Sequence, residues 1–352
     1  MENILSRLPE NPKILVVRKD NIGDLVCTTP LIAALRQRFP LAFIGALVNS
    51  YNAPVLRGNP DLNAVHFYTK AKHRGPNKSV LSVYWDRLRL MWQLRKFKYD
   101  LAILANCSFV PTSLGLARQV GPQFILGFVE GKLPNKEKHI SVPVPYNPEE
   151  PGHETERLSK LLLPLGISGP MPAAKLVPDP LRVAQVRRDL GPVLGDQVPV
   201  AIHISARKLH QRWPAERFVE LMARLHREQG KCFMLFWSPG DENNPFHPGD
   251  DGKAKAILAA LPGVPVYPCP TDALEELVAG LSCCDAMICS DGGAMHIGAG
   301  LGLPIVCFFG NSDPVKWHPW QVPYELLQKE TRKVTDITVD EAYAAFSRLL
   351  RP

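Results

Sequence analysis

The stretch that decides the fold reads Ala286-Met287-Ile288-Cys289-Ser290-Asp291-Gly292-Gly293-Ala294-Met295-His296, runs on through small residues to Leu301, and resumes as Pro304-Ile305-Val306-Cys307-Phe308-Phe309-Gly310. Ala286–Cys289 is an apolar run short enough for a buried strand. A helix from about Gly293 to Leu301 follows, stopped by Gly302 with Pro304 just beyond. The second apolar run is the next strand. A strand, a Gly-rich turn and a helix in that order aim free backbone N–H groups and the positive helix end at whatever docks there, which suits a diphosphate. Gly292 and Gly293 leave room for a ligand to come close, and His296, in the first turn, is placed to donate to a phosphate oxygen. The plain alternative is an ordinary strand-to-helix turn with a histidine on a solvent face.

Outward from this stretch the same alternation continues. Upstream, apolar runs at Val198–Ile204, Cys232–Trp237 and Val264–Tyr267 read as strands. The first is followed by Ser205-Ala206-Arg207-Lys208-Leu209-His210-Gln211-Arg212-Trp213-Pro214, a basic loop able to neutralise a diphosphate. Pro214 then opens a helix over Ala215–His226. After Trp237 come Ser238-Pro239-Gly240-Asp241-Glu242, two carboxylates at a strand end that could take the hydroxyls of a ribose or simply make a turn. The amino-terminal half alternates likewise: strands at 13–18, Ala42–Val48, Val65–Tyr68, Leu101–Leu104 and Phe124–Phe128. The expected architecture is α/β, two successive doubly wound halves of mostly parallel sheet with a cleft between them. Pro-rich stretches at 142–151 and 169–180 suggest the linker. The boundaries are residues 1–175, with the linker from about 142, then 176–335, then a helix near Thr338–Leu350 within 336–352 that closes the chain.

Asp24 ends the turn Lys19-Asp20-Asn21-Ile22-Gly23-Asp24 after the first strand. That is where open α/β sheets keep their functional groups, although helix capping also explains an Asp there. The next helix either begins near Asp24 and bends at Pro30, or is capped by Thr29 with Pro30 in its first position.

The chain has 352 residues and a net charge of +7, an excess that suits an acidic partner such as nucleic acid, a phosphorylated sugar or an anionic membrane face without choosing among them. Much of the basic charge lies between residues 70 and 98. Lys70, Lys72 and Arg74 sit in a Gly, Pro and Asn-rich loop read as a docking site. Beyond it, Leu88, Trp92 and Arg95 recur at helical spacing, which fits an amphipathic helix with a solvated basic face. No apolar run reaches the roughly 18 residues of a membrane span, and the first residues lack the pattern of a secretory signal. The eight cysteines show no Cys-x-x-Cys spacing and sit mostly in apolar runs, as reduced thiols of a cytosolic protein do. Cys283, Cys284, Cys289 and His296 fit no common zinc pattern. A nicotinamide dehydrogenase is disfavoured because the turn after the first strand holds one glycine rather than Gly-x-Gly-x-x-Gly.

Four motifs in order resemble glycosyltransferase family 9, the heptosyltransferases of the lipopolysaccharide inner core: Arg18–Asp24 with Thr29-Pro30-Leu31; Arg212-Trp213-Pro214-Ala215-Glu216-Arg217-Phe218; Ser290–His296; and Phe308-Phe309-Gly310-Asn311-Ser312-Asp313-Pro314 with Trp317. The resemblance implies a GT-B fold with acceptor on the first half and donor on the second. It implies an inverting transfer from ADP-L-glycero-D-manno-heptose, without metal or cofactor, by a cytoplasmic enzyme peripheral on the inner membrane. Nucleic acid is not an implied partner. Asp24 falls on the family's general base. Ser205, Lys208, Gln211, Arg212, Asp241, Glu242, Asp291, Gly292, Gly293, Ala294 and His296 fall on or near the donor site. Asn21, Lys70, Lys72, Arg74 and Arg118 are the candidate contacts to an acidic acceptor carrying Kdo carboxylates and phosphates. Two departures bear on the donor. Gln211 stands where the family usually has a phosphate-holding Lys, leaving Lys208 or Arg212 to replace it or donor binding altered, and Gly292 stands where Thr is common. Another nucleotide-sugar donor, or a non-catalytic relative that binds nucleotide-sugar or glycan, are the alternatives.

Overall fold

The computed structural model describes residues 4–69, 79–244 and 248–350. The chain divides into two compact units, Met1–Ala174 and Lys175–Pro352.

The first unit is built on six strands: β1 Lys13–Val17, β2 Phe43–Asn49, β3 Ala64–Tyr68, β4 Leu101–Leu104, β5 Phe124–Val129 and β6 Val142–Pro145. Between and after them run α1 Ile22–Val26, α2 Thr29–Arg38, α3 Val80–Phe97, α4 Pro111–Val120, α5 Pro134–Glu137 and α6 Glu154–Ser159. The sheet order is β3-β2-β1-β4-β5-β6 and every pairing is parallel. The central strands β1 and β4 carry unbroken apolar runs because both their faces are covered by helices. Leu15, Val17, Ala102 and Leu104 pack with Met91 and Leu94 of α3 and with Leu114 and Ala117 of α4. The turn after Asp24 resolves into two helices rather than one bent helix. Thr28 precedes α2, Thr29 is its first residue and Pro30 lies in its first turn, where a missing N–H costs nothing.

The first Pro-rich stretch is not a linker. Residues 142–145 form β6 at the sheet edge, with Val142 and Val144 buried and Pro143 and Pro145 exposed. Proline is tolerated there because an edge strand has ladder positions with no neighbour to serve.

The second unit repeats the plan with β7 Val200–His203, β8 Phe233–Trp237, β9 Val266–Pro270, β10 Ala286–Ser290, β11 Ile305–Phe309 and β12 Tyr324–Gln328. Its helices are α7 Pro180–Leu194, α8 Ala215–Gln229, α9 Asp251–Ala259, α10 Leu274–Leu281, α11 Gly293–Gly300, α12 Pro314–Trp317 and α13 Val339–Leu349. The order β12-β11-β10-β7-β8-β9, again all parallel, is the order of the first sheet counted from its own first strand. Both sheets therefore have the doubly wound order in which the chain reverses direction next to the first strand. Trp213 sits at the centre of this unit's core, edge-on to Phe218 at 4.9 Å and tilted against Phe308 at 4.8 Å. Its indole N–H donates to the carbonyl of Ile337 at 2.9 Å, so the ring's one polar group is satisfied. The helix α13 is part of this core, not a separate closing piece: Ala342, Ala345 and Phe346 are buried in it, and Thr338 and Glu341 cap each other at its start.

Candidate functional site

In an open parallel sheet, ligands and reacting groups gather beyond the carboxyl ends of the strands, where strand order reverses. In the first unit that point lies past β1 and β4, and Arg18 occupies it. Although only 2% exposed, its guanidinium meets three carboxylates: Asp20 at 3.2 Å, Asp24 at 2.6 Å and Glu154 at 2.9 Å. It also donates to the carbonyl of Ala105 just past β4. The loop between β1 and α1 is pinned by amide side chains. Asn49 and Asn52 donate to the carbonyls of Lys19 and Asp20 at 2.8 and 3.0 Å, and Asn106 donates to the Asp20 carboxylate. The loop that leads to Asp24 is thus fixed from the ends of β2 and β4.

Asp24 combines both readings of its position. Its Oδ2 accepts from the backbone N–H and the side-chain amide of Asn21, each at 3.0 Å, which is a helix cap, while its Oδ1 is held by Arg18. Three of the roughly four acceptor positions of a carboxylate are occupied, and one remains for an incoming hydroxyl. Burial works against the charge on Arg18, but Asp24, Glu154 and Asp20 outweigh it and lift its pKa above the ordinary arginine value. A permanently charged guanidinium with donors in a rigid fork fixes the orientation of its carboxylate partners.

In the second unit the equivalent point lies past β7 and β10. Gln211, in the loop after β7, donates from its side-chain amide to Asp291 Oδ2 at 3.0 Å and to the Ser312 hydroxyl at 3.3 Å, and Ser312 donates to the same carboxylate oxygen. Two of the resemblance motifs, and the residue just before a third, therefore meet in one hydrogen-bonded cluster. Gly292 and Gly293 follow directly. Gly292 is extended at φ 162°, a backbone any residue adopts, and a Cβ there would meet open space. Its value is openness over the first amides of α11, which have no partner within the helix.

The basic loop is anchored from below. Lys253 of α9 donates to the carbonyls of Ile204 and Trp213 at 3.1 and 2.7 Å, tying together the two ends of the loop. Burial lowers its pKa to about 8, despite Asp250 nearby. Arg212 donates to the carbonyl of Ala206 at 2.8 Å and pairs with the buried Asp250 at 3.4 Å. Burial raises the pKa of Asp250, partly offset by the nearby Ser205 hydroxyl and Arg212. Ser205 also accepts from the N–H of Ser238 at 2.9 Å.

These contacts sort the sequence expectations. Asp24 with Asn21, and Gln211 with Asp291, Gly292, Gly293 and Ala294, gather at the two switch points. Lys208 is exposed on its loop, whereas Arg212 is mostly buried and pairs with Asp250. The Asp241 carboxylate makes a local turn, accepting from the N–H and amide of Asn243 at 2.7 and 3.0 Å. Glu242 is exposed and faces the Asp250 and Lys253 charges closely enough to act on both. His296 is not on a solvent face: it is 4% exposed, and its ring lies edge-on to Trp317 at 5.9 Å. Arg118 is not brought to Asp24. It lies in the last turn of α4, which has by then run back to the amino edge of the sheet, where β5 begins. Lys70, Lys72 and Arg74 lie outside the described residues. Sequence reading missed Glu154 as a partner of Arg18. The available signal was a charged residue, Arg18, directly after an apolar strand, since burial there demands partners of opposite charge.

Among the described residues, no group of three or more His, Cys, Asp and Glu side chains is placed to hold a metal ion. Cys283, Cys284 and Cys289 are buried free thiols, and burial raises the pKa of Cys284 and Cys289, against the thiolate a metal would need.

The fold has known counterparts. Residues 87–342 match the family model of glycosyltransferase family 9 (heptosyltransferase). The chain is 24% identical over 298 residues to lipopolysaccharide heptosyltransferase 3 of Escherichia coli, covering 85% of this chain and 83% of that protein. A family 9 glycosyltransferase from Veillonella parvula superposes with a TM-score of 0.81 at 18% identity, covering 96% of this chain and 97% of the other. The ADP-heptose lipopolysaccharide heptosyltransferase II of Escherichia coli superposes at 0.76 and 21% identity, over 96% and 98%. The two Rossmann-like units are those of the GT-B class, and the chain belongs to glycosyltransferase family 9, the heptosyltransferases.

Proposed function

We propose that this glycosyltransferase moves heptose from ADP-L-glycero-D-manno-heptose to the lipopolysaccharide inner core, with inversion at C1 and with neither metal nor cofactor. The observation that carries the proposal is Asp24, a carboxylate at the first switch point, gripped by Arg18 and Asn21 with one acceptor position left open. Asp24 takes the proton of the acceptor hydroxyl as that oxygen attacks C1 of the donor. The C1–oxygen bond to the diphosphate breaks, and ADP leaves with the electron pair. The amides opening α11 receive the departing diphosphate. Asp291 lies beside them, and its charge is absorbed by Gln211 and Ser312. A relative described as an ADP-heptose enzyme supports the choice of donor. The acceptor on this reading is acidic and lipid-anchored, so the enzyme works in the cytoplasm at the inner membrane face.

A second reading keeps the fold and changes the nucleotide-sugar. It is favoured by Gln211, a neutral amide where a lysine would add a cation. Thermal shift with ADP, UDP, GDP and CDP at matched concentrations separates the two. A ligand at 100 times its dissociation constant adds about 2.7 kcal/mol, roughly 5–10 °C for a unit of this size. A shift with ADP alone supports the ADP-heptose donor, and a shift with UDP or GDP instead rejects it.

A further inference from the structure

The helix α3 has two apolar faces, and the fold uses only one. Val83, Met91 and Leu94 are buried, with Leu90 and Phe97 packed beside them against the sheet. Leu88 and Trp92, whose spacing suggested an ordinary amphipathic helix, are on the other side. They continue a stripe of exposed side chains, Leu81, Tyr84, Trp85, Leu88 and Trp92, in which Leu81 is 74% and Trp85 71% exposed. The steps of four, three and four residues between 81, 85, 88 and 92 keep them in one row along the helix. Isolated surface leucines need no explanation, but five large apolar side chains in one row, two of them tryptophans, mark a contact surface.

Charge identifies what it contacts. Arg89 and Lys96 are exposed along one flank of the stripe and Arg95 along the other. The Lys96 ammonium sits over the Trp92 ring at 3.4 Å, so cation and aromatic belong to one surface. The helix's one acidic residue, Asp86, lies about 140° around it from Leu81. Tyrosine and tryptophan between leucines, flanked by arginine and lysine, are the composition of a helix that lies in the headgroup layer of a bilayer with its apolar side chains among the acyl chains. No helix among the described residues is long and apolar enough to cross a membrane, so contact of this kind lies on the bilayer.

We propose that the Leu81–Trp92 stripe of α3, with Arg89, Arg95 and Lys96, docks this enzyme on an anionic phospholipid surface. The helix is already formed and held by its buried face, so docking requires no refolding. It begins after β3, at the carboxyl edge of the sheet that also carries Asp24. The proposal deepens the reading of a lipid-anchored acceptor, but lipid binding is measured with neither donor nor acceptor present, so either reading can fail alone.

The test is flotation of the full chain with vesicles of phosphatidylcholine, with or without about 30 mol % phosphatidylglycerol. The unaltered protein floats with the anionic vesicles and much less with the neutral ones. Trp85→Gln/Leu88→Gln/Trp92→Gln removes exposed side chains only, so its melting temperature stays at that of the parent while flotation is lost. Arg89→Gln/Arg95→Gln/Lys96→Gln lowers partition into anionic vesicles by on the order of 100-fold and leaves partition into neutral ones unchanged. Neither set touches the sites assigned above. Transfer to a water-soluble, deacylated acceptor is therefore retained, and transfer to acceptor embedded in vesicles falls. A parent that does not float, or an apolar triple variant that floats equally well, overturns the proposal. So does a variant that converts a dimer to monomer with lipid binding unchanged, which would make a second copy the occupant.

Discussion

Replacing Arg18 with methionine keeps most of its buried length and removes the charge that three carboxylates share. Glu154 is almost fully buried and has Arg18 as its cation, and Asp24 is largely shielded as well. Removing one partner of a buried ion pair typically costs 3–5 kcal/mol, because the remaining charge stays in a poor solvent. For a unit of 150–250 residues, each kcal/mol moves the melting temperature by 2–4 °C, so a fall of about 6–20 °C is expected at pH 7. Adding Glu154→Gln to the variant recovers part of the loss, with a coupling of about 1–3 kcal/mol, whereas Glu154→Gln alone destabilises. The assay is thermal or urea unfolding of the four proteins of this cycle at pH 7. A variant within about 1 kcal/mol of the parent would refute the account of Arg18 as the buried centre of the site.

Other outcomes follow from the second unit. Gly298→Ala places a Cβ 2.7 Å from the sulfur of Met287 and should cost about 1–3 kcal/mol, read from the denaturation midpoint. Trp213→Ala empties the centre of the core and should cost about 3–5 kcal/mol by the same measurement. Gln211→Ala releases Asp291 beside the diphosphate position and should weaken ADP binding about two- to tenfold by calorimetry, the worth of one hydrogen bond. Lys253 has a folded pKa of about 8, below its ordinary 10.5, so between those values the unfolded state holds a proton that the native state lacks. Stability rises with pH across that window relative to Lys253→Met, and parallel melting curves for the two proteins would contradict the assignment.

The sequence was most legible where both sides of an element are buried. The apolar runs of β1, β4, β7, β8, β10 and β11 leave little alternative to a central parallel strand, and the turn residues at Gly23 and Gly292 mark the points where the sites form. It was least legible at the sheet edges. β6 and β12 were missed, and β9 was placed too early, because edge strands carry prolines or half-exposed polar residues that read as loop. Asp24 could be located from its place after the first strand, but Glu154 lies 136 residues beyond Arg18 and nothing local announces the pairing. His296 was placed correctly in the first turn of its helix, but its burial beside Trp317, which comes from a later element, could not be read locally. The α3 stripe was misjudged because spacing alone cannot say which of two apolar faces the sheet covers.

The most direct test of the central claim is transfer of heptose from ADP-heptose to inner-core acceptor by the parent and by Asp24→Asn. The substitution leaves Arg18 paired with Asp20 and Glu154, so the fold and ADP binding are retained. Loss of a positioned general base should lower kcat by about 10²–10⁴-fold. Robust transfer by the parent, with that loss in the variant and unchanged ADP affinity, is the predicted result. Full activity in Asp24→Asn, or no transfer by the parent with ADP-heptose while another nucleotide-sugar is consumed, would contradict it.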